Sequence, residues 1–418
     1  MITLFLVALL GAATAVEAQV QPELAQRYFA EATRLCERDA GRLWGVSLCG
    51  PMVIADPATG TRATSQPEPP GPAPRFSGFA DGPVMWGGVQ WFAYPLSMLP
   101  EKDADVRQQV MLHGLFHRIQ SQLGLITEDG FNEHLDTLEG RVSIQLEWRA
   151  LRRAIESSGG SRPDAIVAAI ADALAFRRER RARFPGAAEG ERREEIREGL
   201  ASYTGIAAWA DSPADARRAA ASALAEGESM TALVGNFEAA SGPAYGVLLD
   251  DLLPGWRRQV RATSDLGDLL ASAINRPPTS DLAVAAARYD GAALRTAEEA
   301  RDRAQQVRLA ELRRRFVDGP VLTMPAIGRG TSDTHDSVGI PGAGTVYFHT
   351  LTQSGQWGSL NATNGVLRSA DGRTLSVPIT GRIEGTNLQG DGWSVTVNAG
   401  WVVRPAARPG SFVIVREQ

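Results

Sequence analysis

Lysine is almost missing from this chain. Of its 43 basic residues only Lys102 is a lysine, and the others are arginine. Together with abundant alanine and glycine, this points to a GC-rich coding sequence and says nothing about activity. A surplus of positive charge is lacking too. The 48 acidic residues outnumber the basic ones, for a net charge of −5, so there is no basic footprint for nucleic acid. Beyond the first residues, no apolar run approaches the ~20 residues a spanning helix needs. Cysteine is limited to Cys36 and Cys49, neither in a Cys/His nucleophile context. Gly-x-Ser-x-Gly and a phosphate-binding loop are both missing, which removes the commonest serine-hydrolase and nucleotide-hydrolase signatures.

What remains is an ordinary globular composition. With 44% hydrophobic and 22% charged residues over 418 positions, two or three domains are expected. The chain starts with Met1-Ile-Thr-Leu-Phe-Leu-Val-Ala-Leu-Leu and then small residues up to Ala18. This is a leader of signal-peptide length over residues 1–18, although it lacks the basic residues that usually precede the apolar core. The expected location is the periplasm or outside the cell. In an exported chain, the close pair Cys36 and Cys49 is expected to form a disulfide, the alternative being two buried thiols.

The periodicity predicts an α+β protein. Residues 21–40 carry a helical stripe of Leu24, Tyr28, Ala32 and Leu35. Residues 43–98 read as a small sheet of three to five strands. Helices follow over 103–123, 132–157, 163–184, 189–209, 213–226, 244–262, 264–275 and 281–316, with a kink expected at Pro254 and a break near Gly291. After Asp318-Gly-Pro320 the chain turns to Gly, Thr, Ser and Val in alternating runs separated by turns such as Asp371-Gly372. This predicts a second, all-β domain, a sandwich or small barrel, over 318–418. The first domain then spans 19–317.

The chemistry concentrates at Met111-Leu-His113-Gly-Leu-Phe-His117-Arg-Ile-Gln120. Histidines four apart on a helix share a face, which is how one helix offers two imidazoles to a zinc ion. A third, carboxylate ligand is available in Glu198-Gly-Leu-Ala-Ser-Tyr203 on a later helix. A small sheet, then His-x-x-x-His, then Glu-Gly-Leu-Ala-x-Tyr resembles the gluzincin clan of zinc metallopeptidases. The resemblance covers residues 43–260 at most. It implies zinc held by His113, His117 and Glu198, and a peptide substrate. It also implies a general-base glutamate at position 114, where this chain has Gly114.

Losing that base removes a contribution worth about 10²–10⁴-fold in rate. Substitutes are sought on the 132–157 helix, in Asp136, Glu139 and Glu147. His134 is a further candidate, as base or as ligand. Asp136 or Glu139 is expected to hold a ligand histidine from behind, with Arg141 pairing to Glu139 or Glu198. Tyr203 and Tyr245 are candidate donors to an oxyanion, with core packing as the alternative. In the β domain, Asp333, His335 and Asp336 read as a polar loop rather than a cation site.

The leading expectation is therefore an exported zinc metallopeptidase-like protein that keeps its metal site and has impaired peptidase activity. The second is an active hydrolase using another base, such as Glu139 or His134. The third is a non-enzymatic envelope or secreted binding protein with a helical scaffold and a β-sandwich module. A peptide or small-molecule substrate is expected under the first two, and no nucleic-acid partner under any of them.

Overall fold

The computed structural model describes residues 20–76, 81–130, 132–158, 163–332 and 337–417. The leader expected over residues 1–18 and the group Asp333, His335 and Asp336 lie outside them. The chain divides into two compact units, one up to Glu298 and one from Glu299. The architecture is α+β, as the periodicity predicts. The expected boundary at 318 follows the last helix, whereas the units divide within that helix.

The first apolar stripe folds as α1 (Pro22–Asp39), with Pro22 in the first turn, where its missing N–H has no partner to lose. Tyr28, Ala32, Leu35 and Cys36 form its buried face. Cys36 is disulfide-bonded to Cys49 in the segment leading into the first strand. Closing a loop with a sequence separation of 13 residues restrains the unfolded chain by about 3 kcal/mol.

Four short strands follow: β1 (Met52–Ala55), β2 (Arg62–Thr64), β3 (Gly82–Trp86) and β4 (Val89–Pro95). They form one sheet in the order β2-β1-β4-β3. β1 and β4 run parallel and the other pairs are antiparallel. The stretch from Val84 to Tyr94, whose strand formers read as one strand, folds as a hairpin of β3 and β4, turned by Gly87 and Gly88 at φ of 59° and 75°. Side chains of β4 alternate across the sheet. Phe92 and Tyr94 enter the main helical core, while Trp91 and Ala93 pack with Phe76 and Trp86 on the other face.

The helices are α2 (Ala104–Gln120), α3 (Leu138–Ser157), α4 (Pro163–Arg183), α5 (Ala187–Glu194), α6 (Leu200–Trp209), α7 (Pro213–Ser229), α8 (Phe237–Leu252), α9 (Leu266–Ile274), α10 (Leu282–Ala287) and α11 (Gly291–Arg313). The expected break near Gly291 is present. The kink at Pro254 is not. α8 ends two residues earlier, and a 3₁₀ turn (Trp256–Arg258) follows, because proline stops the helix outright. Between α5 and α6 the helix widens into a π turn, Glu195–Gly199. Among the described residues, no helix is long and apolar enough to cross a membrane.

Among the described residues the second unit carries twelve strands, β5 to β16, from Val321–Pro325 to Phe412–Arg416. One sheet has the order β13-β14-β10-β9-β6 and the other β15-β16-β5-β12-β11-β8-β7. All pairings are antiparallel except β16 with β5. Leu322, Met324, Leu375, Val377 and Ile414 of the second sheet share a core with Leu360, Leu388, Trp393 and Val395 of the first. Two sheets closed on one core make this a sandwich rather than a barrel. The end of α11 and the π turn after it join the unit through Leu312 and Phe316, packed with Ile340, Val346 and Leu367.

Candidate metal centre

α2 starts where Asp103 caps it, its carboxylate accepting from the Val106 N–H at 3.1 Å. Met111, Leu112, Leu115, Phe116 and Ile119 are its buried apolar face. His113 and His117 fall one turn apart beside that face. Their Nε2 atoms lie 3.0 Å from each other. Glu198 Oε2 lies 3.3 Å from His113 Nε2 and 3.2 Å from His117 Nε2. The three residues form a group able to hold a metal ion.

The backs of both imidazoles are occupied. His113 Nδ1 lies 3.3 Å from Ser202 Oγ, and His117 Nδ1 lies 2.9 Å from Gln120 Oε1. Gln120 also fixes which nitrogen of His117 carries a proton. Its Nε2 donates to the carbonyls of Ile196 and Arg197 at 3.2 and 3.0 Å, so its Oε1 is the atom facing His117 and can only accept. His117 Nδ1 therefore donates, and in the neutral ring Nε2 presents a lone pair to Glu198. The same amide ties α2 to the π turn that carries Glu198.

The electrostatics follow from this packing. Burial favours the neutral form of His113 and lowers its pKa. Burial acts on His117 in the same direction, but Glu198, Gln120 and Asp81 outweigh it and raise the value. Burial would push the Glu198 carboxyl up, yet the two histidines hold it well below the usual carboxylate range. Glu198 Oε1 also pairs with Arg197 at 3.0 Å.

The π turn owes its position to a buried charge network. Arg177 grips Glu195 in a two-point contact at 2.6 and 2.5 Å, and also reaches Asp265 at 3.2 Å. Arg180 holds Glu191 at 2.7 and 3.0 Å. π turns of this kind recur at functional sites. On the opposite side, α8 lies against the turn so closely that a Cβ on Gly242 would sit 2.2 Å from the Gly199 carbonyl oxygen.

Gly114 is explained by packing. A Cβ there would sit 2.6 Å from Phe92 Cδ1 and Cε1 and from Tyr94 Cε1. Both rings are 1% exposed, and Tyr94 is anchored by donating its hydroxyl to the Met111 carbonyl at 2.6 Å. No glutamate fits at 114 without displacing this pair. Gly114→Ala is therefore expected to destabilise the protein. Overpacking costs typically 1–3 kcal/mol, and alanine's helix preference returns at most about 1 kcal/mol. Urea unfolding checks this, and an alanine variant as stable as wild type would refute the packing account.

The structure does not bring the other candidates to the cluster. Glu139 pairs with Arg295 at 2.8 Å and Arg183 at 2.9 Å. Tyr203 donates to Asp250 at 2.7 Å and contacts Arg257. Tyr245 donates to Glu147 at 2.7 Å, and Glu147 is fully buried beside Arg180. His134 bonds Glu191 at 2.8 Å. Asp136 accepts from the Leu233 N–H at 2.9 Å, and Arg141 pairs with Glu298 at 2.8 Å rather than with Glu139 or Glu198. Of these, Glu147 belongs to the buried arginine network, while Glu139 and Asp136 are partly exposed and paired with arginines.

Two cavities flank the cluster. One of about 230 Å³ is lined by Phe92, Tyr94, Val106, Val110, His113 and Ile206. The other, of about 440 Å³, is lined by His117, Gln120, Glu194, Arg197, Glu198 and Glu238. Asp81 borders both. Three of these residues had some chance of being read from sequence and were missed. Gln120 follows His117 by three on the same helix face, and Ser202 follows Glu198 by four. Glu238, an acid in the first turn of α8, looks like any helix-start carboxylate.

No protein-family model matches the chain, nor does any curated protein or solved structure.

Proposed function

We propose that this chain binds one zinc ion through His113, His117 and Glu198, and that it is a hydrolase of the metallopeptidase type. One observation carries the metal reading. His117 Nε2, barred by Gln120 from being the protonated nitrogen of a neutral ring, faces Glu198 Oε2 at 3.2 Å. Two acceptors at that distance repel unless a cation stands between them or the ring takes a second proton. The donor set fits zinc, whose ~2.0–2.1 Å bonds set tetrahedral edges of roughly 3.3–3.4 Å. The observed edges are 3.0, 3.2 and 3.3 Å. Ser202 and Gln120 orient the rings from behind, as outer partners of metal-binding histidines do.

When bound, zinc supplies Lewis acidity to a carbonyl and a more acidic water. The chain's own part is to hold the cluster between an apolar and a polar cavity and to manage the proton. A second reading, a metal site without catalysis, is favoured by the tight packing at Gly114. The disulfide supports export, because such bonds persist in oxidising compartments. Metal analysis of protein purified without chelator is expected to return close to one zinc per chain. Protein refolded or dialysed with zinc that still holds none would leave an imidazolium–glutamate pair in its place. Zinc-loaded protein that cleaves no peptide would favour the non-catalytic reading.

A further inference from the structure

One carboxylate oxygen of Glu238, its Oε2, is buried without a hydrogen-bond partner among the described residues. The residue is 5% exposed. An unpaired buried carboxyl oxygen is destabilising, and a catalytic role is one reason such an atom is kept. Glu238 lines the same cavity as His117 and Glu198. It is brought there by the close contact of α8 with the π turn, where Gly242 meets Gly199. The position that would otherwise supply a base, Gly114, is sealed by Phe92 and Tyr94.

We propose that Glu238 is the proton-carrying group of this site, replacing the glutamate that position 114 cannot accommodate. The inference rests on the hydrolase reading above. In amide hydrolysis, a water oxygen bonds to the carbonyl carbon while Glu238 takes one of its protons. The carbon–nitrogen bond then breaks, and Glu238 returns that proton to the departing nitrogen. The products are a carboxylic acid and an amine, and the carboxylate is regenerated. Burial, with Glu194 and Glu198 nearby, pushes the Glu238 carboxyl up to about 8, which agrees with a group that both takes and gives a proton near neutrality. Gln120, in the same cavity, has its amide donors committed to the π turn, and Arg197 pairs with Glu194 and Glu198, with its Nε left unpartnered among the described residues.

The test compares wild type with Glu238→Gln in zinc content, thermal midpoint, and cleavage of fluorescein-labelled casein and an internally quenched hexapeptide library. Glu238→Gln is expected to keep its zinc and a midpoint equal to or above that of wild type, since it relieves a buried unpaired carboxyl. Its cleavage rate should fall 10²–10⁴-fold, the usual worth of a general base. Glu238→Asp should recover part of the rate. Cleavage within threefold of wild type overturns the inference, and so does zinc-loaded wild type that cleaves neither probe. A lowered midpoint together with lost zinc also overturns it, by making Glu238 structural. Wild type that holds no zinc fails differently, since it removes the metal site itself.

Discussion

Replacing His117 with alanine is expected to empty the metal site. His117 is the more enclosed of the two imidazoles, its side chain 12% exposed against 24% for His113. It also connects Glu198 to Gln120, and through Gln120 to the backbone of the π turn. Losing an outer partner of a zinc histidine costs 10–100-fold in affinity, and losing a ligand itself should exceed that. Zinc should fall from one per chain to near none in protein purified at equal metal concentration. A second readout follows from linkage. A ligand present at 100 times its dissociation constant stabilises the folded state by about 2.7 kcal/mol. A strong chelator should therefore lower the unfolding midpoint of wild type and leave that of His117→Ala unmoved. Because binding requires the deprotonated rings and His117 titrates above its ordinary value, affinity should be full at high pH and weaken as pH falls through that raised value. If His117→Ala retains zinc as wild type does, the site is elsewhere.

Replacing Arg177 with methionine should produce the largest loss of stability. Arg177 is 3% exposed, and its main partner Glu195 is 1% exposed. Its guanidinium holds both oxygens of Glu195, reaches Asp265, and lies 3.4 Å from Glu147. It also sits over the Tyr245 ring, 5.0 Å from the centroid. Removing one partner from a buried pair leaves an uncompensated charge, which costs about 3–5 kcal/mol. Arg181 gives Glu195 little relief, since their closest approach is 3.8 Å. The effect should extend to the metal, because Glu195 opens the π turn that carries Glu198. Unfolding in urea should show the stability loss, and zinc titration of the folded fraction should show weakened binding. A variant that loses stability but binds zinc as wild type does would mean that Arg177 serves the core alone and does not position Glu198.

The two predictions touch different parts of one design. Zinc affinity depends on atoms within a few ångströms of the cluster. The placing of Glu198 depends on Arg177 and Arg180 of α4, Glu191 of α5 and Asp265, the cap of α9, none of which lines either cavity. This explains why Glu139, Glu147 and His134, carboxylates and an imidazole near the site in sequence order, take no part at the cluster. Each has a buried or bridging arginine or glutamate partner. A carboxylate available for chemistry should have an oxygen left over, and Glu238 has one.

Much of the fold was legible from the chain itself, because local patterns depend on local physics. The helical stripe of α1, the break at Gly291 and the change to alternating residues after Pro320 all express backbone preference and side-chain period. The His113 and His117 pair was legible for the same reason, since four residues on a helix is one turn. Glu198 was found by its neighbours' identity, and the structure places it within 3.3 Å of both histidines. What no sequence pattern conveyed depends on distances through space between residues far apart in the chain. Only tertiary packing decides that Phe92 and Tyr94 fill the space beside position 114, so that glycine there is a packing requirement. Only packing sends Tyr203 and Tyr245 to other partners and brings Glu238 into the cavity of His117 and Glu198, with its Oε2 unpartnered among the described residues. Periodicity describes which way a residue points along its own element. What it meets there is set by the other elements, and in this protein that meeting decides the chemistry.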